Sequence, residues 1–284
     1  MLLTKPRGHE KTVNTILWAA AFSTVLILVS ILGYIVYKGV GHLSLEFFID
    51  KPRRMGAEGG IFPIIVSTIY FVALTIAISA PLGVGAAVYL NEYAGKNKAT
   101  DVIRFGTELL AGIPSIIFGL FGYAFFVILL EPFTHGWSLL SGALTATCMI
   151  LPTIIRTSEE ALKTVPRSYR EGSLSLGATR WQTNWRVVVP AAIPGILTGI
   201  ILGIGRAIGE TAALLLTLGG SLLQPSSIYH GGRTLSMHLY MVAMETGNMR
   251  AAFGTGVVLI ITILIINFST NFFIKRLVKN SKGE

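Results

Sequence analysis

The sequence predicts an all-α membrane protein, a polytopic bundle of about six transmembrane helices. Of its 284 residues, 52% are hydrophobic and only 13% are charged, which is about half the charged fraction of a soluble domain. The charges collect in short segments, and the stretches between them are long enough to cross a bilayer. The net charge of +9 fits this class, because Lys and Arg accumulate in cytoplasmic loops. We therefore expect the lipid bilayer, and no nucleic acid, as the surrounding partner.

Six apolar runs give the expected crossings. The second run is too long for one straight crossing of about 20 residues, and Pro81 with nearby glycines predicts a bend and a continuation along the membrane surface. Pro190 stands where the fifth run begins, which suits the first turn of a helix because proline has no N–H to leave unpaired. The expected spans are Ile16–Tyr37, the run from Gly59 to Asn91, Leu109–Leu130, Leu139–Ile155, Pro190–Leu218 and Ala252–Ile274.

The distribution of basic residues predicts the orientation. With the N-terminus inside, sixteen Lys and Arg fall in the inner segments and six fall in the outer segments, while Arg206 lies within the fifth span. Because cytoplasmic segments carry the excess of Lys and Arg, we expect both termini in the cytoplasm. The chain is then a multi-pass protein of the bacterial cytoplasmic membrane.

Motifs for catalysis or cofactor binding are missing from the sequence. There is no G-x-x-x-x-G-K-[ST] run that would bind ATP as a P-loop, and the five histidines have no metal-ligand spacing. Cys148 is the one cysteine, so no disulfide can form within the chain. Gly83-Val-Gly85 and Gly203-Ile-Gly205 lie in apolar spans, where helix packing explains them better than a nucleotide fingerprint. We expect no catalytic residue, no metal and no cofactor.

The longest hydrophilic segment, Arg156–Arg186, contains the run Glu171-Gly-Ser-Leu-Ser-Leu-Gly177. Its small and aliphatic residues can form a short helix whose face docks in a groove of a partner. Gly177 can adopt the left-handed conformation that ends such a helix. The alternative is an ordinary surface helix between two spans, but the spacing and the following proline-initiated helix favour docking.

The fifth apolar run carries two opposite charges, Arg206 and Glu210. An ionised side chain inside a span costs roughly 2.5–3.5 kcal/mol on insertion scales, so it usually faces protein or water and serves a function. Because the two residues are four positions apart, we expect them on one helix face. Arg206 would lie about 24 Å along the helix from Pro190, past the midplane towards the outer side.

A stripe of small residues runs beside this charged pair. Such a stripe lets a neighbouring backbone approach closely, so we expect span five deep in the bundle or against a second subunit, with the charged pair turned to a pathway. The guanidinium fork suits the oxygens of a phosphate anion, and the carboxylate would balance it at rest. A structural ion pair that locks two helices is the alternative. The stripe consists of Gly195, Gly199, Gly203, Ala207 and Thr211.

Four segments together resemble the A-type permeases of bacterial phosphate ABC importers, the Pst systems. The segment from Glu171 through Pro190 has the spacing of the EAA loop of ABC importer permeases, with Gly172 and Ser173 in place of two alanines, and it belongs to a longer matching stretch from Leu151. The other three segments are Pro81-Leu-Gly-Val-Gly with Tyr89-Leu-Asn-Glu92-Tyr-Ala, Gly112-Ile-Pro-Ser115-Ile-Ile-Phe-Gly119, and Gly205-Arg-Ala-Ile-Gly-Glu-Thr211.

The resemblance implies the type I (MetI-like) importer permease fold and a chain without covalent chemistry of its own. Residues 1–58 would form an N-terminal helix and outer loop, and residues 59–284 the permease domain with a cytoplasmic coupling loop at 156–190. The implied partners are a related C-type permease in a heterodimer, two copies of an ATP-binding subunit, an external phosphate-binding protein and the phosphate anion. The implied pathway residues are Arg206, Glu210 and Thr211. The implied residues that couple to the ATPase are Glu171, Gly172, Ser173 and Gly177, and those for helix packing are Gly195, Gly199 and Gly203.

Other functions remain open from the residues alone. A permease of the same architecture could carry molybdate, tungstate or sulfate, because one arginine serves any tetrahedral anion. A secondary transporter or channel would have no use for a docking helix. A membrane-bound regulatory protein would need a soluble sensory domain, and no hydrophilic segment is long enough for one.

Overall fold

The computed structural model describes the backbone of residues 8–95 and 97–282, and the side chains of residues 11–95 and 97–272. Most of this backbone is helical; the exceptions include one small hairpin and the irregular segment 218–234 between α11 and α12. The helices are α1 Gly8–Gly39, α2 Leu45–Ile49, α3 Phe62–Val88, α4 Lys98–Gly112, α5 Ser115–Gly122, α6 Glu131–Thr134, α7 Leu139–Thr164, α8 Arg167–Ser175, α9 Arg180–Thr183, α10 Val189–Gly209, α11 Ala212–Thr217, α12 Leu235–Met241 and α13 Met249–Lys282. The antiparallel hairpin pairs β1 Pro52–Arg53 with β2 Glu58–Gly59.

Within the described residues, five helical runs are each long and apolar enough to cross a membrane, and a bent pair makes a sixth. The prediction of an all-α bundle with about six spans is confirmed. We call the end of the bundle that carries residues 156–186 the basic end, and the end that carries the 52–59 hairpin the hairpin end. These two names imply no side of the membrane.

Helix α7 forms the centre of the bundle, between α3 and α10. It runs parallel to α3, and near the middle of the pair the Thr147 hydroxyl donates to the carbonyl of Thr75 at 3.4 Å. It runs antiparallel to α10. Ile150 and Ile154 of α7 are fully buried in this interface. We call these three packed helices, α3, α7 and α10, the frame.

The predicted bend after Pro81 is wrong. The structure continues α3 through Pro81 to Val88 and adds a π-helical turn, Tyr89–Tyr93, so one helical run extends from residue 62 to 93. Pro81 is exposed, whereas Gly83 packs directly on Ile154 of α7. The proline ring thus lies away from the contact that holds the helix, and a membrane helix can tolerate a proline there.

The third span, predicted from residue 109 to 130, contains a sharp bend. The chain bends by 105° between α4 and α5. Pro114 has no N–H to continue α4, and it forces Ile113 into an extended conformation with ψ of 132°, as expected for the residue before proline. Helix α5 continues into a π-helical stretch, Tyr123–Leu129, and α4 together with this run has the length and composition of one bent span.

The fifth span differs from its prediction at both ends. Helical structure begins at Arg180 and runs through a π-helical turn, Asn184–Val188, into α10. Pro190 does lie in the first turn of α10. The helix ends at Gly209 rather than near Leu218, because Glu210 is extended with ψ of 134°, and the separate helix α11 follows.

Candidate functional site

The charged pair of the fifth span lies at the point where α10 ends. The Arg206 Nε and Glu210 Oε1 atoms are 3.9 Å apart, and their side chains are 32% and 14% exposed. The expectation that both residues lie on one continuous helix face is wrong, because Gly209 is the last residue of α10. Arg206 lies in α10, and Glu210 lies just beyond the end of that helix. The distance between the two side chains therefore depends on the contacts that hold the Glu210 backbone in its extended conformation.

Two serines from other parts of the chain meet Glu210. The Ser236 hydroxyl donates to the backbone carbonyl of Glu210 at 2.6 Å, and the Ser115 side chain interacts with the carboxylate. Ser115 is the first residue of α5, placed there by the bend at Pro114. The sequence analysis did not include either serine in the site. Ser236 lies 26 residues after Glu210, and Ser115 is positioned by a bend at Pro114 that was not predicted.

The guanidinium of Arg206 has donors to spare. Among the described residues, the carboxylate of Glu210, at 3.9 Å, is the one group that pairs with this guanidinium. A Cβ built on neighbouring Gly205 or Gly209 would meet no atom within 4 Å, so this side of α10 opens onto space that the chain itself does not fill. Thr211, which precedes α11, makes no capping bond with its hydroxyl. The arrangement can therefore offer a fork of N–H donors to an anion.

A second arginine near the hairpin end is committed to structure. Arg233 is 4% exposed and donates from Nε to the carbonyl of Gly220 at 3.0 Å and from Nη1 to the carbonyl of Met55 at 3.3 Å. Close by, burial and the charge of Arg233 lower the pKa of His238 to about 3, so this imidazole stays neutral at physiological pH. Arg206 is thus the better candidate for anion contact.

The three glycines of the α10 stripe face α7 closely. A Cβ on Gly195 would lie 2.5 Å from the Cβ of Ala161, a Cβ on Gly199 would overlap the hydroxyl of Thr157, and one on Gly203 would lie 3.4 Å from Ile154. Small residues here let the two backbones approach. The glycine stripe of α10 therefore packs on α7, and the charged pair lies at the end of the same helix.

The predicted docking segment forms helix α8 at the basic end. The left-handed conformation predicted at Gly177 is present, with φ of 84°, and its N–H donates to the carbonyl of Leu174 at 3.0 Å. The Ser173 and Thr183 hydroxyls bond at 2.9 Å, which joins α8 to α9. Glu171 and Gly172 are exposed on this helix. The segment therefore consists of two short helices, α8 and α9, joined by a turn at Gly177.

Large apolar side chains stand exposed among the polar residues of this segment. Leu176 is 89% exposed and Trp181 is 62% exposed, and the Trp181 ring lies 5.3 Å from that of Trp185. Exposed aromatic and aliphatic side chains of this size are typical of a surface that meets another protein or the membrane. The candidate site therefore has two parts, a charged pair in the bundle and the exposed helical segment at the basic end.

Comparison with known proteins agrees with this architecture. Residues 79–282 match the model of the family described as "Binding-protein-dependent transport system inner membrane component". The "Probable ABC transporter permease protein YqgI" of Bacillus subtilis is 38% identical over 262 residues, which cover 87% of this chain and 88% of the relative. The "Phosphate transport system permease protein PstA" of Pasteurella multocida is 32% identical over 208 residues, 73% of each chain.

A solved structure shows the same fold. A bacterial ABC transporter involved in the import of the acidic polysaccharide alginate is similar with a TM-score of 0.66 at 15% identity, over 93% of this chain and 96% of the other. The family model covers well over half of the sequence. The chain therefore belongs to the family of binding-protein-dependent transport system inner membrane components, as a multi-pass permease subunit.

Proposed function

We propose that this permease moves inorganic phosphate across the bacterial cytoplasmic membrane, driven by a separate ATP-hydrolysing subunit. The observation that carries the proposal is the half-buried Arg206, whose donors are not used within the described part of the chain. Phosphate transport permeases with 32% identity over most of the chain support the choice of anion.

The chemistry of the pair suits transient anion binding. Arginine stays charged and donates two parallel hydrogen bonds to the oxygens of one phosphate group. Glu210 is close enough to attract Arg206 but at 3.9 Å does not hydrogen-bond its Nε atom. The carboxylate would compete with the anion for the guanidinium, so that phosphate is released rather than held. Thr211 would add a hydroxyl to the same pathway.

A second permease subunit would complete the pathway. The side of α10 at Gly205 and Gly209 faces unfilled space, and the apolar stretch of α1 is not buried inside this chain at all. A related C-type permease packed on these surfaces would place Arg206 at a subunit interface. The pair would then line a passage between two subunits instead of facing lipid.

The basic end would be cytoplasmic and would bind the ATPase. Most Lys and Arg of the loops fall at this end, as the positive-inside rule requires. Helix α8, with Glu171, Gly172 and Ser173, and the turn at Gly177 would dock on one of two ATP-binding subunits. The hairpin end would then meet the external phosphate-binding protein.

The test compares Arg206→Lys with Glu210→Gln in the assembled transporter. Lysine keeps the charge but loses the planar fork, so phosphate uptake should fall by about tenfold or more at unchanged yield of the complex. Glu210→Gln leaves the guanidinium uncompensated, so phosphate should be held longer and uptake should fall. The matched control is Arg156→Lys, at a largely exposed arginine that pairs with Glu160 of its own helix, which should leave uptake unchanged.

The double exchange Arg206→Glu with Glu210→Arg separates a pathway from a clamp. If the pair only locks helices, the exchange restores both complex yield and uptake. If Arg206 contacts the anion, the exchange restores at most the yield, because the fork then stands at the wrong position. Recovery of wild-type uptake by the exchanged variant would overturn the proposal.

A further inference from the structure

The basic end contains a buried charge network that neither the anion pathway nor the exposed docking face uses. Its centre is Arg170 of α8, which makes four hydrogen bonds. Two go to the Glu92 carboxylate, Nε to Oε2 at 3.2 Å and Nη2 to Oε1 at 2.6 Å. The other two go to backbone carbonyls, Nη1 to Val165 at 2.8 Å and Nη2 to Leu162 at 3.0 Å.

These acceptors belong to the two spans that pack in parallel in the frame. Glu92 lies in the π-helical turn that ends the α3 run, and Leu162 and Val165 are at the end of α7. The Arg170 and Glu92 side chains are only 20% and 9% exposed. One side chain of the docking helix is therefore bonded at once to the ends of α3 and α7.

A second ion network fixes the same helix ends to α4. Glu159 of α7 lies 2.7 Å from the Nη2 atom of Arg104 and 2.8 Å from the Nζ atom of Lys163. The Nη2 atom of Arg104 also donates to the carbonyl of Leu90 at 3.4 Å, in the turn that carries Glu92. Arg104 of α4 thus contacts the ends of both α3 and α7.

One other side chain of α8 reaches a span, but through a neutral bond: Ser173 meets Thr183, in the helical run that continues into α10. Within the described residues, the Ser173 hydroxyl bonds to α9 and the Ser175 hydroxyl bonds within its own helix. Charge-assisted bonds with the planar fork of arginine are stronger and more directional than neutral ones. Because its four bonds run to two different spans in fixed directions, Arg170 can transmit a tilt or shift of α8.

We propose that Arg170 is the positioning residue through which movement of the docking helix reaches the frame helices α3 and α7, with Glu92 as its acceptor. The inference rests on the proposed docking of an ATPase at α8. It adds that docking and transmission are separate functions of one helix. The exposed face of α8 binds the motor, and the buried guanidinium passes its motion to the membrane spans.

The test measures coupling, not assembly alone. In the complete transporter, reconstituted with its ATPase and loaded binding protein, Arg170→Lys keeps one charge for Glu92 but cannot reach the four acceptors together. Complex yield and basal ATP hydrolysis should stay near wild type. Stimulation of hydrolysis by the loaded binding protein, and phosphate moved per ATP, should fall by about tenfold. Glu92→Gln keeps an acceptor oxygen and should give a smaller loss of the same kind.

The control is Glu160→Gln. Glu160 pairs with Arg156 on the same helix at 3.4 Å, with both side chains largely exposed, so it joins no two elements and its loss should not change coupling. Coupling within twofold of wild type in Arg170→Lys would overturn the inference. So would loss of the complex in both Arg170→Lys and Glu92→Gln, which would make the network a scaffold. A wild-type complex without stimulated hydrolysis would instead contradict the proposed function.

Discussion

At the residue scale, two arginines near the hairpin end of the bundle differ in what their guanidinium groups bind. Arg233 is buried and donates to the backbone carbonyls of Gly220 and Met55, so it joins two loop segments at the hairpin end. Arg206 is one-third exposed with one distant carboxylate nearby. Both arginines are charged residues in an apolar chain, and only the structure separates the structural one from the candidate ligand.

Gly177 carries the residue-scale prediction. Its φ of 84° lies in the left-handed region, where a side chain costs roughly 1 kcal/mol or more. Gly177→Leu should therefore misplace the turn after α8, and the variant should insert into the membrane normally but lose most copurification with the ATPase and most transport. Gly106→Ala in α4, outside the docking segment, is the control, since a Cβ there meets nothing within 4 Å and its φ is ordinary. Full transport by Gly177→Leu would contradict docking at this helix.

The sequence pointed to the charged pair and the docking helix because rare charges in an apolar run and glycine spacing are local signals. It could not reveal Ser115 or Ser236 beside Glu210, because both contacts join distant parts of the chain. Nor could it reveal the Arg170–Glu92 bond, which joins positions 78 residues apart. Non-local polar contacts need the packing of the helices, which one sequence does not specify.

At the element scale, whether a proline bends a helix depended on how the surrounding helices pack as well as on the proline itself. Pro81 was expected to bend the second span, yet α3 passes through it because the opposite face, at Gly83, is packed on α7. Pro114 does break the third span, since the chain turns by 105° there. The two prolines share the same chemistry, and the surrounding helix packing accounts for their different effects.

The glycine stripe gives an element-scale prediction. A side chain on Gly199 would overlap Thr157 of α7, and overpacking of a tight interface costs about 1–3 kcal/mol. Gly199→Leu should therefore lower the melting temperature of the purified permease and its yield in membranes. Gly205→Ala on the same helix is the matched control, because a Cβ there has open space. Equal melting temperatures for the two variants would show that the stripe does not hold α10 against α7.

At the scale of the whole molecule, six crossings place the start of α1 at Gly8, the end of α13 at Lys282 and the basic segment 156–186 at the same end. Charge counting predicts that this end is cytoplasmic. Cysteines introduced at Ser175 and Gln224, both exposed and at opposite ends of the bundle, test this. An impermeant thiol reagent added to intact cells should label Gln224→Cys and spare Ser175→Cys until the membrane is opened. The reverse pattern would invert the topology.

The central claim is that the chain carries phosphate as part of an ATP-driven importer. The most direct test is uptake of radiolabelled phosphate into vesicles that contain the permease with its partner permease, ATPase and external binding protein. We predict uptake that requires ATP and the binding protein, and that a large excess of sulfate or molybdate does not reduce. Uptake that continues without ATP, or preferential transport of sulfate or molybdate over phosphate, would contradict the account.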